Sequence, residues 1–217
     1  MSDLSPTSFA LLALLSIRSW SAYELTRYMR ESTLRAIWPR AESHIYSEVK
    51  RLQKVQLASS EVARQGGRKR AVYSITPLGR DALREWIVAP SKRITYESEA
   101  MIKVAYAEHG GIDGLRGTIA EIREEALGDL GVMRTAFEAI VTEHLTLIPD
   151  RRAYNALVSR FILEMIEARL RWVEYAEEYL SDWQDSETDP PREAQGEASY
   201  AQSLERVREL LRAWRGE

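Results

Sequence analysis

Cysteine is absent from this 217-residue chain. That excludes a disulfide framework, a thiolate nucleophile and every cysteine-ligated metal site. Long apolar runs are missing as well: "FALLALLSI" is interrupted by Arg18, far short of a membrane span. The first residues carry neither the basic start nor the cleavable apolar core of a secretion signal, so a soluble, cytoplasmic protein without membrane contact is expected. Histidine is scarce. His44, His109 and His144 are scattered, and Glu143-His144 lacks the second histidine four residues away that a zinc protease site requires. Glu164, Glu167, Glu174, Glu177 and Glu178 have no opposing Glu-x-x-His set and read as a solvated helix face. Gly66-Gly67 and Gly110-Gly111 lack the strand-to-helix context of a phosphate-binding loop. These absences argue against an enzyme, a resident cofactor and a metal.

What is present is charge, unevenly placed. Residues 1–95 hold 16 Lys and Arg against 8 Asp and Glu, while residues 96–217 hold 14 against 25. A basic module that meets an anionic partner, joined to an acidic module with another task, accounts for such an asymmetry.

In the basic half, Ser5-Pro6 reads as an N-cap followed by proline at the first helical position. Phe9, Leu11, Leu12, Leu14, Leu15 and Ile17 then predict a short buried helix. Ser21-Ala22-Tyr23-Glu24 fits a capping box and opens a second helix to about Ser32, with Leu25, Tyr28 and Met29 on its apolar side. A third helix is expected from about Ser43 to Val55. Ile45, Val49 and Leu52 share its core face, whereas Ser43, Ser47, Lys50 and Lys54 share the opposite face, flanked by His44 and Arg51. Small hydroxyls near the helix start and cations further along suit a major groove, where bases and phosphate oxygens are reached together. An ordinary solvated face is the plainer reading of this helix taken alone.

Tyr73 and Ile75 alternate with Val72 and Ser74, predicting a strand whose antiparallel partner is Leu57 to Val62. Gly66-Gly67 suits the positive φ of the hairpin tip, from which Arg64, Arg68, Lys69 and Arg70 would project as a cationic wing. Pro77 opens a closing helix, Leu78 to Val88. Three short helices, a hairpin and a closing helix make a winged helix-turn-helix domain over residues 1–90. A winged domain that docks on another protein, without specific DNA binding, is the rival reading.

The segments "ALLALLSIRSWSAYELTRYM", "IYSEVKRLQKVQLA" and "GGRKRAVYSITPLGRDAL" make residues 8 to 90 resemble the PadR family of transcriptional regulators. The remainder is similar in layout to the helical C-terminal region of longer members, which resembles that of virulence-type regulators. The resemblance implies a homodimer that binds operator DNA, most often as a repressor, with residues 43 to 55 as recognition helix. It places Tyr46 at an aromatic position associated with DNA contact or wing packing, and Arg68 and Lys69 in the wing. It also implies, from the better known members, a phenolic acid or another small aromatic or drug-like effector. Two departures stand out. Gln56 occupies a position where the family usually has glycine, and a left-handed cap there would cost roughly 1 kcal/mol, so a different helix end is expected. Ser47 stands where proline is frequent.

In the acidic half, Pro90-Ser91 ends the first domain and a short helix is expected at about Ser98 to Ala107. Leu115, Ile119, Ile122, Ala126, Leu130, Met133, Phe137, Ile140 and Leu145 form a stripe on a helix from Ile112 to Ile148, about 55 Å long. After the Pro149-Asp150 corner, Tyr154, Leu157, Phe161, Met165, Ala168, Trp172, Tyr175 and Tyr179 repeat the pattern on a return helix. Stripes this long predict an antiparallel helical dimerisation arm over residues 91–183 that buries against a second copy; a hairpin closed by the chain's own last helix is the alternative. Trp172, Tyr175 and Tyr179 are also candidate walls of an effector pocket, although an aromatic stripe at helical spacing is more often packing. Residues 184–198 read as a polar linker, and residues 199–217 as a C-terminal helix with Leu204, Val207, Leu211 and Trp214 on one face. That helix could swap onto the partner's arm, cover its own arm or dock on the winged domain. The expected fold is therefore mainly α: a winged helix-turn-helix domain followed by a long antiparallel arm.

Overall fold

The computed structural model describes residues 4–32, 34–65, 68–142, 148, 151–187 and 190–216. Two compact units divide the chain: Met1–Thr95 with Met133–Met165, and Tyr96–Val132 with Ile166–Glu217. Helices α7 (Gly111–Thr142) and α8 (Arg152–Tyr179) contribute to both. The boundary drawn near residue 90 thus leaves out Met133–Met165, which cluster with the winged segment.

The first unit begins with α1 (Pro6–Ile17), whose Ser5 and Ser8 form a reciprocal capping box. Leu11, Leu12, Leu14 and Leu15 are all buried, as its near-continuous apolar surface requires. Strand β1 (Trp20–Ser21) follows, and the Trp20 indole N–H donates to the Leu14 carbonyl at 2.8 Å. Ser21 is more than the cap its capping-box pattern predicts. It serves twice, pairing with Val72 of β3 and capping α2 (Ala22–Glu31) with Glu24 as its reciprocal partner. A single turn, α3 (Leu34–Ile37), lies where only a loop was expected, and the Trp38 indole after it donates to Thr7 Oγ1 at 3.0 Å.

Helix α4 (Glu42–Lys54) starts one residue before the expected Ser43, on Ala41, which supplies no side-chain cap. Its core face is the anticipated Ile45, Val49 and Leu52, each at most 1% exposed. Its end corrects an expectation. Gln56 takes φ 62°, the left-handed conformation, although it is not glycine. Leu57 N–H bonds the Leu52 carbonyl at 2.9 Å and Gln56 N–H bonds that of Gln53 at 3.0 Å, which is the Schellman pattern. The hydrogen bonds and the burial of Leu57 and Ala58 behind the turn outweigh the steric cost at Gln56.

Strands β2 (Ala58–Gln65) and β3 (Arg68–Ile75) pair from Ala58 opposite Ile75 to Gln65 opposite Arg68, a longer wing than the periodicity predicted. With β1 they form an antiparallel sheet in the order β1-β3-β2. The proposed glycine tip, Gly66-Gly67, lies outside the described residues. Helix α5 (Pro77–Val88) is capped by Thr76, and its Trp86 stacks on Phe9 of α1 with ring centroids 4.7 Å apart. Ile148 adds to this unit's core.

In the second unit, α6 (Glu99–Ala105) and a 3-10 turn (Ala107–His109) precede α7. Arg116 donates to the Trp183 carbonyl, Arg123 pairs with Glu177, and Asp129 pairs with Arg169. Ascending positions on α7 meet descending ones on and beyond α8, so the helices run antiparallel. Leu115, Ile119 and Ile122 pack with Val173, Ala176 and Leu180. This corrects the expected stripe of α8. Its buried apolar positions are Ile162, Ile166, Val173 and Ala176, with Leu180 just beyond its end, whereas Tyr154, Leu157, Phe161 and Tyr175 of that stripe are exposed. The helix carries two apolar faces, and periodicity alone selected the outer one.

Helix α9 runs Pro190–Arg215, so most of the expected linker 184–198 is helical. Pro190 and Pro191 occupy the first turn, where a missing N–H and a fixed φ are no obstacle. Arg192 bonds Asp185 at 2.6 Å, while Gln195 accepts from the Trp183 indole at 2.9 Å and donates to the Tyr179 carbonyl at 2.8 Å. The beginning of α9 therefore covers its own arm. Among the described residues, no helix is long and apolar enough to cross a membrane, and no three His, Cys, Asp or Glu side chains gather as metal ligands.

Candidate nucleic-acid interface and effector cavity

Burying Ile45, Val49 and Leu52 turns the remaining surface of α4 outward. Ser43, His44, Tyr46, Ser47, Lys50 and Lys54 are all exposed, Tyr46 by 37%. Ser47 Oγ donates to the His44 carbonyl at 2.9 Å, leaving its lone pairs open. Neither Lys50 nor Lys54 has an ion-pair partner among the described residues. Arg51 differs: it is half-buried and its guanidinium lies 3.0 Å from Glu48 Oε1.

Glu48 is the functional neighbour that sequence reading missed. Its side chain is buried, bonded by Ser8 Oγ, by Ser5 Oγ at 3.2 Å and by Arg51. A carboxylate beside the first turn of α1 is favoured by the orphan N–H groups there. It ties the outward helix to α1 and fixes Arg51. The available signal was an acid three residues before an arginine, adjoining the core face.

On the wing, Lys69 and Arg70 are exposed, and Arg70 lies 5.7 Å from the Tyr23 ring centroid. Arg64 pairs in register with Lys69 and Gln65 with Arg68, so these cations cluster at one end of the hairpin. The side chains of Arg64 and Arg68 lie outside the described part. Gln53 Nε2 donates to Ser60 Oγ at 2.9 Å, holding α4 to the wing strand. Arg30 pairs with Glu42 at 2.8 Å and Arg18 stacks 3.5 Å from the Trp20 ring centroid. Burial acts to raise the Glu24 carboxyl. The Ser21 N–H and O–H and the Arg18 guanidinium outweigh it and hold Glu24 below the usual carboxylate range.

In the second unit, Trp172, Tyr175 and Tyr179, the suspected aromatic walls, do line a cavity of about 330 Å³. Trp183, Leu115, Ile119, Glu108 and Ser199 complete most of its surface. Tyr175 and Tyr179 have ring centroids 5.8 Å apart, and Tyr179 and Trp183 5.9 Å, all tilted. The Tyr175 hydroxyl lies 2.5 Å from Ser199 Oγ of α9. Burial, with nearby phenols and the Glu193 carboxylate, raises the Tyr179 phenol above its ordinary value.

An outward cationic helix joined to a basic hairpin, with a helical C-terminal region, defines a winged helix-turn-helix protein. Residues 11–85 match the family described as "Transcriptional regulator PadR-like family". A comparison with curated proteins returned no match. Among solved structures, Bacillus subtilis PadR in complex with operator DNA superimposes with TM-score 0.68 at 21% identity, covering 78% of this chain and 94% of the other. The Vibrio cholerae virulence activator AphA gives 0.59 at 23% identity over 81% and 96%. Bacillus subtilis PadR in complex with p-coumaric acid gives 0.62 at 21% identity over 81% and 98%. At such identities the likeness establishes the fold, and it extends well beyond the winged segment.

Proposed function

We propose that this protein is a cytoplasmic, homodimeric repressor that binds operator DNA through α4 and the wing. The carrying observation is the outward face of α4: Ser43, Ser47, Lys50 and Lys54 stand exposed on a helix anchored from behind by Glu48 and the Ile45–Val49–Leu52 core. Ser43, His44, Tyr46 and Ser47 face base edges, while Lys50 and Lys54 reach phosphates, with Arg64, Arg68, Lys69 and Arg70 on the flanking backbone. Arg51 acts mainly by holding Glu48. The operator complex of the similar Bacillus subtilis PadR supports this reading.

Exposed Tyr154, Leu157 and Phe161 on α8, and Tyr200, Leu204, Val207 and Trp214 on α9, support dimerisation. A second copy would remove this apolar area from water. It would also set two heads for half-sites about 34 Å apart, one turn of duplex. A small effector in the cavity of Trp172, Tyr175 and Tyr179 shifts the arms and releases DNA.

Selection of bound duplexes from a random pool tests the central claim. An enriched inverted repeat with half-site centres one turn apart is expected. An unenriched pool at low salt, with protein retained only by other proteins, would reject operator binding in favour of a winged adaptor.

A further inference from the structure

The cavity in the second unit has a one-sided chemistry. Its walls are the rings of Trp172, Tyr175, Tyr179 and Trp183 with Leu115 and Ile119, and among the described residues Glu108 is the charged one that lines it. Among the described residues, no lysine or arginine lines it. Two guanidinium groups contact Trp183 itself. Arg116 donates to the Trp183 carbonyl at 2.8 Å, and Arg192 bonds Asp185 while lying 4.7 Å from the Trp183 ring centroid. The tilt between successive rings, 37° and 48°, leaves their electron-rich faces at an angle around one space rather than stacked on each other. Aromatic faces and a carboxylate attract a desolvated cation and repel a carboxylate ligand.

We propose that this cavity binds a flat aromatic cation, such as an N-alkylated quinolinium compound, and discriminates against aromatic carboxylates. The assignment rests on the effector reading above but concerns the ligand's charge, which that reading leaves open. At about 330 Å³ the cavity suits a ligand of two or three fused rings. Glu108 stands half-exposed, its described ionic neighbour being His109 at 3.6 Å, so an incoming ligand can meet the carboxylate without stripping it from a buried partner. The Tyr175–Ser199 contact makes α9 one wall, which gives the ligand a route to the C-terminal helix.

Titration calorimetry on the full-length protein, without DNA, compares 1-methylquinolinium with 2-naphthoate, fused two-ring molecules of similar size and opposite charge. The cation is expected to bind about tenfold more tightly or better. Glu108→Gln should shrink that preference about fivefold and Glu108→Lys should reverse it; the position is half-exposed, so folding is preserved. Equal or tighter binding of naphthoate, or a preference untouched by both substitutions, overturns the assignment. Retention of a selected duplex is then measured with each ligand. Glu108-dependent cation binding that leaves duplex affinity unchanged upholds the ligand class and overturns release by this effector. No detectable binding of the cation by a protein that still retains the duplex overturns the ligand class alone.

Discussion

The carbonyl oxygen of Leu57 lies 2.1 Å from the position a Cβ would take on Gly79. Leu57 closes α4 and its carbonyl also accepts Thr76 N–H at 3.1 Å, so the end of α4, the base of the β2–β3 hairpin and the first turn of α5 meet there. Thr76 caps Gly79 N–H at 3.0 Å and bonds the Gln56 carbonyl at 2.8 Å. The Thr-Pro-Leu-Gly segment is thus a backbone junction, and its glycine is required by close approach rather than by φ.

Gly79→Ala is therefore expected to destabilise the protein by about 3 kcal/mol or more, because the obstructing atoms are backbone and cannot rotate away. Urea unfolding checks the loss. Operator affinity should fall as well, since the displaced turn carries both α4 and the wing. A midpoint unchanged from the parent would refute the junction.

Gln56→Gly should act in the opposite direction. The Schellman bonds already hold position 56 at positive φ, so glycine relieves the steric cost while adding freedom to the unfolded chain. A net gain of up to about 1 kcal/mol is expected, read as a higher denaturant midpoint at constant slope.

Local signals made the winged half largely legible. The capping boxes at Ser5 and Ser21 and the 4-3 spacing of Ile45, Val49 and Leu52 each act within a few residues, so sequence carried them. What escaped is settled between distant residues. Two-residue β1 has no pattern of its own and exists because Trp20 and Ser21 meet Tyr73 and Val72. Buried Glu48 is intelligible only beside Ser5 and Ser8, some forty positions earlier. On α8 two apolar faces compete, and only α7 decides that Val173 and Ala176 turn inward while Leu157 and Phe161 do not. The polar run before Ser199 became helix through its contacts with Asp185, Tyr179 and Trp183, which composition does not encode.

Charge and hydroxyl substitutions on the DNA face should separate by role. Lys69→Ala is expected to weaken binding to operator and random duplex alike, and to lower the slope of log affinity against log salt by about 0.9 per lost phosphate contact, hence about two for a dimer. Ser47→Ala should instead change the ranking among operator variants with little effect on the salt slope. Fluorescence anisotropy over a salt series measures both. Identical effects from the two substitutions would reduce the interface to nonspecific attachment.

Acid should loosen the winged unit through Glu24. Its carboxyl titrates lower in the folded protein than in the unfolded chain, because Ser21 N–H, Ser21 Oγ and Arg18 all favour the ionised form. The unfolded state therefore binds the proton first as pH falls, and protonation favours unfolding. This stabilisation is complete above the ordinary glutamate range near pH 4.5 and drains away as pH drops through the lower folded value. Glu24→Gln keeps a side chain able to accept from Ser21 but has no charge to lose. It should cost about 1 kcal/mol or less at neutral pH and flatten the acid limb of stability against pH. Thermal unfolding of parent and variant from pH 7 to pH 3 measures the difference, which must narrow toward acid. A gap that stays constant or widens would show that Glu24 contributes packing rather than charge to the start of α2.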